Sequence, residues 1–315
     1  MGIISKVIYF KYTGGVPVMK TARLIYNPTS GREEMKRRLA DILERLDIGG
    51  IEASCHATTG EGDATAAAAE AVERGTFDLI IAAGGDGTLN EVINGMAEKP
   101  NRPPLGVLPL GTTNDFARAM GIPKNWEDSC DLILRQESRL IDLGKANDRY
   151  FINIAGGGRL TELTYEVPSR LKTMMGQLAY YLKGIEKMAS LSPQELYIRA
   201  NGQELIHDEF MLFLIANTNS VGGFEKLAPD ARIDDGLFDV IAVKKCNLAE
   251  FIRLVTLAIR GEHLQDKKVV YFRTDAMEVT SPGYVQLNLD GELGGTLPGR
   301  FEILPQHLRI FAQNH

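Results

Sequence analysis

The sequence predicts an α/β protein in two parts, a parallel-sheet domain over residues 19–140 and a strand-rich domain over 141–300. Two observations carry this. Short apolar runs alternate with helical patterns in the first half, the mark of a parallel sheet covered on both faces. Beyond about residue 140 the runs become strand-like and are separated by Gly, Pro, Asn and Asp, as in a mostly antiparallel β domain.

In the first half, strands are expected at Ala22–Tyr26, Ile51–Thr58, Phe77–Ala83 and Leu105–Leu110, and helices at Glu33–Leu46, Ala64–Arg74, Leu89–Glu98 and Asn114–Met120. In the second, strands are expected at Tyr150–Ala155, Glu195–Ala200, Glu209–Ala216, Leu237–Val243, Val269–Arg273, Ala276–Thr280 and Val285–Leu289. Helices interrupt them near 170–188 and 248–260, and the end of the chain, 301–315, is expected to return to the first domain. Residues 1–18 read as an extension ahead of a natural start at Met19, with an extra edge strand at Lys6–Tyr12 as the alternative.

The 315 residues carry 35 basic and 41 acidic side chains, a net charge of −6 with the histidines neutral. That balance argues against a protein that binds nucleic acid over its whole surface. With 44% hydrophobic residues there is ample material for a core. Three widely spaced cysteines, Cys55, Cys130 and Cys246, form no disulfide framework, which fits a reducing cytoplasm. The longest purely apolar run, Phe210–Ala216, falls far short of the roughly 20 residues of a spanning helix.

The sharpest local feature is Ile80-Ile-Ala-Ala-Gly-Gly-Asp-Gly-Thr-Leu-Asn-Glu91, an apolar strand running through a glycine turn into a helix. Such a turn lets backbone approach a ligand, and the helix N-terminus offers free N–H groups to an anion. Asp86 inside this cradle repels phosphate unless a cation lies between them, which points to Mg²⁺; its plainer reading is a helix cap. Two more loops follow strands, Asn27-Pro-Thr-Ser-Gly31 and Gly111-Thr-Thr-Asn-Asp115. In a parallel sheet all three emerge at one edge, where open α/β folds bind ligands. Neither a dinucleotide fingerprint nor a Walker A loop is present. A fourth element, Val285-Gln-Leu-Asn-Leu-Asp-Gly-Glu292, is a half-buried strand ending in a turn signal, and it supplies a carboxylate able to take a proton from an attacking hydroxyl.

Together these four motifs resemble the diacylglycerol kinase catalytic family, most closely its soluble Gram-positive members, from Met19 to about Phe311. The resemblance implies that the second domain is a β-sandwich, with the lipid site between the two domains. It implies ATP contacts by Asn27, Pro28, Thr29, Ser30, Gly31, Thr58, Gly85, Asp86, Gly87, Thr88, Leu89, Asn90, Glu91 and Thr112. It implies Mg²⁺ near Asp86 in a network reaching Asp115 and Glu292, with Glu292 as general base. A structural Mg²⁺ is implied at the Asp235 side chain and the carbonyls of Arg232 and Leu237. Thr113 occupies a position with no mechanism attached.

The reaction these features imply is transfer of the ATP γ-phosphoryl group to diacylglycerol, by a cytoplasmic protein that visits an anionic membrane surface. The stretch Arg170–Lys187, net +3 with eight large apolar side chains, suits an interfacial helix, and Lys36-Arg37-Arg38 with Arg32 forms a second basic cluster. A homodimer is implied by resemblance only. The alternatives are a kinase of the same fold acting on a sphingoid, ceramide or phosphatidylglycerol, an NAD kinase, and a non-catalytic nucleotide- and lipid-binding sensor. His263, after a helical stretch, is expected at the surface or in a cap.

Overall fold

The computed structural model describes residues 19–158, 193–201, 205–219 and 227–313. The expected extension at 1–18 and the expected interfacial helix at 170–188 lie outside these residues.

The first part runs β1 (Lys20–Tyr26), α1 (Ser30–Ile48), β2 (Ile51–Ala57), α2 (Asp63–Arg74), β3 (Leu79–Gly84), α3 (Asp86–Met96), β4 (Leu105–Pro109), α4 (Asp115–Ala119) and α5 (Trp126–Leu134). The strands pair in parallel in the order β2-β1-β3-β4. Alternate side chains of one strand enter different cores. Leu24 and Ile81 pack with Met35, Ile42 and Leu46 of α1 and Ile133 of α5. Ile25 and Ile80 pack with Ala67, Ala68 and Ile93 from α2 and α3. Burial on both faces explains why β3 is uniformly apolar (Leu-Ile-Ile-Ala-Ala-Gly) with every residue buried.

The second part contains β5 (Ser138–Ala146), β6 (Arg149–Phe151), β7 (Ile154–Gly157), β8 (Gln194–Ala200), β9 (Ile206–Ala216), β10 (Phe238–Lys244), α6 (Leu248–Arg260), β11 (Val269–Thr274), β12 (Ala276–Thr280), β13 (Gln286–Leu289), β14 (Glu292–Thr296) and β15 (Gly299–Phe311). Apart from one bridge made by β15, its pairings are antiparallel. They enclose a core of Phe151, Phe210, Phe213, Phe238 and Phe301 with aliphatic neighbours.

Several elements differ from the sequence expectation. The run Tyr150–Ala155 is two strands, because the backbone N–H groups of Ile152 and Asn153 turn away from any ladder to a carboxylate. Helix α5 and strands β5 and β14 lie outside the expected elements; β14 (Glu-Leu-Gly-Gly-Thr) carries too little apolar pattern to be read as a strand. The segments Phe301–Ile303 and Leu308–Phe311 belong to the single strand β15, whose register against β5 breaks between Leu304 and Leu308. Gln306 adopts a φ of 48° at that break. Past it, Ile310 pairs in parallel with Leu105, so β15 joins the antiparallel strands to β4. His263 is buried, not superficial: the turn after α6 tucks it inward, and burial pushes its imidazole below the usual range.

Candidate active site

The parallel register aligns Tyr26 with Ala57 and Ala83, and Gly84 with Pro109, so the loops after β1 to β4 leave the sheet at one edge. Backbone bonds tie them there: Asn27 N donates to Ala83 O (3.1 Å), Thr58 N to Tyr26 O (2.9 Å) and Leu110 N to Gly84 O (2.9 Å). In the first loop the Asn27 side chain accepts from Thr29 N (2.9 Å) and Thr29 Oγ1 (2.8 Å), a local turn that opens α1. Two glycines are sterically compelled. Gly31 has a φ of +58°, and a Cβ there would stand 2.3 Å from Leu110 O. A Cβ on Gly111 would stand 2.4 Å from Gly85 Cα. The three predicted loops are therefore stacked backbone on backbone.

A cleft of about 290 Å³ opens among these loops, lined by Asn27, Pro28, Thr29, Thr58, Thr88 and Glu91 of the predicted set. It is also lined by Thr59, Gly60, Glu61 and Ala64, which sequence reasoning missed. The signal for them was the Thr-Gly-Glu-Gly-Asp run between β2 and α2, a further strand-to-helix turn at the same edge. Asp63 organises that turn, accepting from Thr59 N (2.7 Å), Thr59 Oγ1 (2.8 Å) and His56 Nε2 (3.1 Å). These bonds, the Thr59 N–H foremost, hold its carboxyl below the usual carboxylate range.

Other predicted residues have structural work at the rim of this cleft. Leu89 is buried in the core, so its side chain is committed there. Glu91 Oε2 accepts from Ala64 N (3.1 Å) at the start of α2, one of the N–H groups that a helix leaves unpaired. Thr112 is exposed in the third loop. Asp86 sits in the first turn of α3, its Oδ2 accepting from Thr113 Oγ1 (3.0 Å) and its Oδ1 from Phe116 N (3.4 Å). Thr113 thus links the second and third loops. Asp115 pairs with Arg118 one turn along α4. Asn114, buried at a φ of 50°, closes the third loop by accepting from Gly111 N (2.9 Å) and donating to Gly111 O (2.9 Å).

Glu292 reaches the same place from the other domain. Strands β13 and β14 meet through a two-residue turn in which Asp290 and Gly291 have φ of 52° and 96°, pairing Leu289 with Glu292. Glu292 Oε1 then lies 3.4 Å from the position a Cβ would occupy on Gly87, in the first turn of α3. Residues distant in sequence, Gly87 and Glu292, face one another across the domain boundary.

The loop of the second predicted metal site is rich in acid. Asp235 Oδ1 accepts from Leu237 N (3.1 Å) and its carboxylate pairs with Arg273. Asp234 pairs with Arg139 (2.7 Å). Buried Asp239 accepts from Tyr271 Oη (2.6 Å), and its Oδ2 faces the Arg273 guanidinium (3.4 Å). Buried Asp142 accepts from Gly236 N and Gln306 N (both 2.7 Å). Burial pushes both Asp142 and Asp239 upward. Asp234, Asp235 and Asp239 are each set against an arginine, and their hard oxygens are the donor type that a divalent cation takes. Among the described residues, however, no three acidic, histidine or cysteine side chains converge closely enough to hold one by themselves. Carbonyls of Arg232 and Leu237 would have to complete the set.

Residues 21–146 match the model of the diacylglycerol kinase catalytic domain, and residues 163–312 match a C-terminal NAD kinase β-sandwich-like domain named after YegS. The chain is 59% identical over 295 residues to a diacylglycerol kinase of Bacillus subtilis (strain 168), covering 93% of this chain and 96% of that protein. The chain belongs to the diacylglycerol kinase family. It is therefore an enzyme of the ATP-dependent lipid kinase class, in a family that uses ATP and typically a divalent metal. A crystal structure of a diacylglycerol kinase from Bacillus anthracis str. Sterne superposes with a TM-score of 0.73 at 26% identity, covering 93% of this chain and 97% of that one. An NAD kinase from Archaeoglobus fulgidus shares the fold alone, at 14% identity and a TM-score of 0.51 over 92% of this chain and 93% of that one. Among the described residues no helix of the kinase is long and apolar enough to cross a membrane.

Proposed function

We propose that this kinase transfers the γ-phosphoryl group of ATP to the primary hydroxyl of diacylglycerol, giving phosphatidic acid and ADP. The single observation that carries the reading is the approach of the Glu292 carboxylate to Gly87 at the N-terminus of α3. Phosphate oxygens seated on that N-terminus meet free N–H groups and the positive end of the helix dipole. A hydroxyl entering from the second domain then meets Glu292, which removes its proton as the new P–O bond forms and ADP departs. The loops from Asn27 to Gly31, Gly85 to Glu91 and Thr112, with Thr58, hold the donor in place. Positioning and preorganised charge supply most of the rate.

A Mg²⁺ ion held by Asp86, in a network reaching Asp115 and Glu292, would supply neutralisation of the phosphate charge. Asp86 suits that role: it has hard oxygen donors, and Thr113 and Phe116 N fix its orientation. A second Mg²⁺, structural, fits Asp235 with the carbonyls of Arg232 and Leu237. Diacylglycerol as acceptor is supported by the name of the 59% identical Bacillus subtilis relative. Because that lipid stays in the bilayer, the reading includes a cytoplasmic enzyme transiently bound to anionic membrane, with a homodimer as its assembly.

The test is turnover of labelled ATP against a panel of lipid alcohols in mixed micelles, with NAD as a control. Label is expected in phosphatidic acid; incorporation into another lipid, or into NAD, overturns the choice of acceptor.

A further inference from the structure

The carboxylate of half-buried Asp290 lies at the junction of the two domains, and each of its oxygens takes two donors. Oδ1 accepts from Asn153 N (2.8 Å) and Ile154 N (2.9 Å). Oδ2 accepts from Ile152 N (2.7 Å) and Asn90 Nδ2 (3.0 Å). Asp290 N in turn donates to Ile154 O (2.9 Å), and Gly291 N donates to Asn288 Oδ1 (2.9 Å). One side chain therefore fastens three pieces of the molecule: the β6–β7 turn, the second turn of α3 and the β13–β14 turn. Asn94 repeats the connection one turn further along α3, donating to Tyr150 O (3.2 Å) and accepting from Tyr150 N (3.1 Å).

This arrangement is more than a hairpin tip requires. A two-residue turn with both φ values positive closes on its own backbone, and an exposed Asn or Asp suffices there. Withdrawing a carboxylate from water is costly, and burial raises its pKa against the pull of four N–H donors. Four donors and no acceptor opposite it match the ionised form. What the network fixes is the start of β14, and so the residue two places on, Glu292, relative to the first turn of α3.

We propose that Asp290 is a positioning residue for the phosphoryl transfer: it locks the β13–β14 turn to α3, so that the Glu292 carboxylate is held over the phosphate-binding end of that helix. This rests on the reading of Glu292 as the general base. Asp290 does not touch the reacting atoms; it acts through Glu292. Displacing a proton-accepting group by a fraction of an ångström costs turnover while the donor loops, held by their own backbone contacts, keep their shape.

A double-mutant cycle with Asp290→Asn and Glu292→Gln tests the proposal in the full chain, using mixed micelles of the acceptor lipid. Asp290→Asn places an amide NH₂ where an acceptor is needed. It is expected to lower kcat about tenfold or more while the KM for ATP stays within about twofold. In the Glu292→Gln background the same change is expected to add no further loss, since the group it positions is gone. Multiplying losses in the double variant, or an Asp290→Asn enzyme whose KM for ATP rises in step with its loss of kcat, overturns the positioning role. Wild-type turnover in Glu292→Gln alone overturns the general base itself, a separate failure. Where Asp290→Asn does not give a cooperative thermal transition, Asp290→Ser, smaller and still an acceptor, takes its place in the same cycle with the same criteria.

Discussion

The two halves of the candidate site are held by different physics. The nucleotide side is a stack of loops whose backbones touch: Gly31 against Leu110 and Gly111 against Gly85 leave no room even for a methyl group. The acceptor side is a hairpin whose position depends on polar bonds to the carboxylate of Asp290. Close packing cannot yield gradually, because interiors are as dense as organic crystals. A polar network can shift by a few tenths of an ångström and remain a network. The comparison teaches that damage to the backbone contacts stacked in the first half should cost fold and ATP binding together, whereas damage to the second should cost turnover alone.

The largest expected effect lies on the acceptor side. Glu292→Gln should lower kcat about 10²- to 10⁴-fold with ATP affinity and the thermal transition unchanged, as steady-state kinetics and calorimetry would show. A parallel loss of ATP binding would erase the distinction between the halves. Next comes Gly31→Ala, which combines a disfavoured φ with the clash on Leu110 O. We expect it to destabilise the enzyme by about 3 kcal/mol in denaturant unfolding and to weaken ATP binding with it.

Gly87→Ala sharpens the comparison, because a Cβ there meets only Glu292 Oε1, at 3.4 Å. Its unfolding midpoint should be unaltered, while ATP affinity falls about tenfold, since the methyl group occupies the anion-binding end of α3. Chelation should reversibly abolish turnover, Mg²⁺ restoring it; full activity in excess chelator would remove Asp86 from a metal role. The smallest effect is at the α2 turn. The carboxyl of Asp63 is depressed, so it adds stability above its unfolded pKa, and this is lost as pH falls through the lower folded value. Asp63→Asn should therefore flatten the fall of Tm from about pH 5 to about pH 3. An unchanged slope would show that the Thr59 and His56 contacts contribute nothing measurable.

Burial makes one thiol a reporter of the first half. Cys130 lies between α5 and the sheet, and burial pushes its thiol up to about 12, whereas Cys55 is exposed on β2. Thiol reagents should label Cys55 in the native enzyme and Cys130 only after unfolding.

Much of this is legible in the sequence. Alternating apolar runs announced a parallel sheet, and strand–glycine–helix junctions at residues 27–31, 84–88 and 111–115 announced a shared anion-binding edge, because local chain geometry alone puts such turns at strand ends. The hydrophobic period failed where polar bonds rather than apolar faces define the element, as in the split of β6 from β7. It also failed at Thr59 to Glu61, whose glycine turn lacks a strongly apolar strand before it. The role of Thr113 was invisible because its partner, Asp86, belongs to another loop.

The sequence by itself therefore determined the two chemistries of the site, a glycine-rich anion cradle and a set of carboxylates, together with the class of fold that would present them. Only the tertiary structure decided how they meet. The bond from Asn90 to Asp290 joins residues 200 positions apart, and those from Asp290 to residues 152–154 span nearly 140. No periodicity or local propensity encodes contacts of that separation. They exist because β15 crosses from the antiparallel strands to β4 and the carboxylate of Asp290 requires four donors, which only the folded junction supplies.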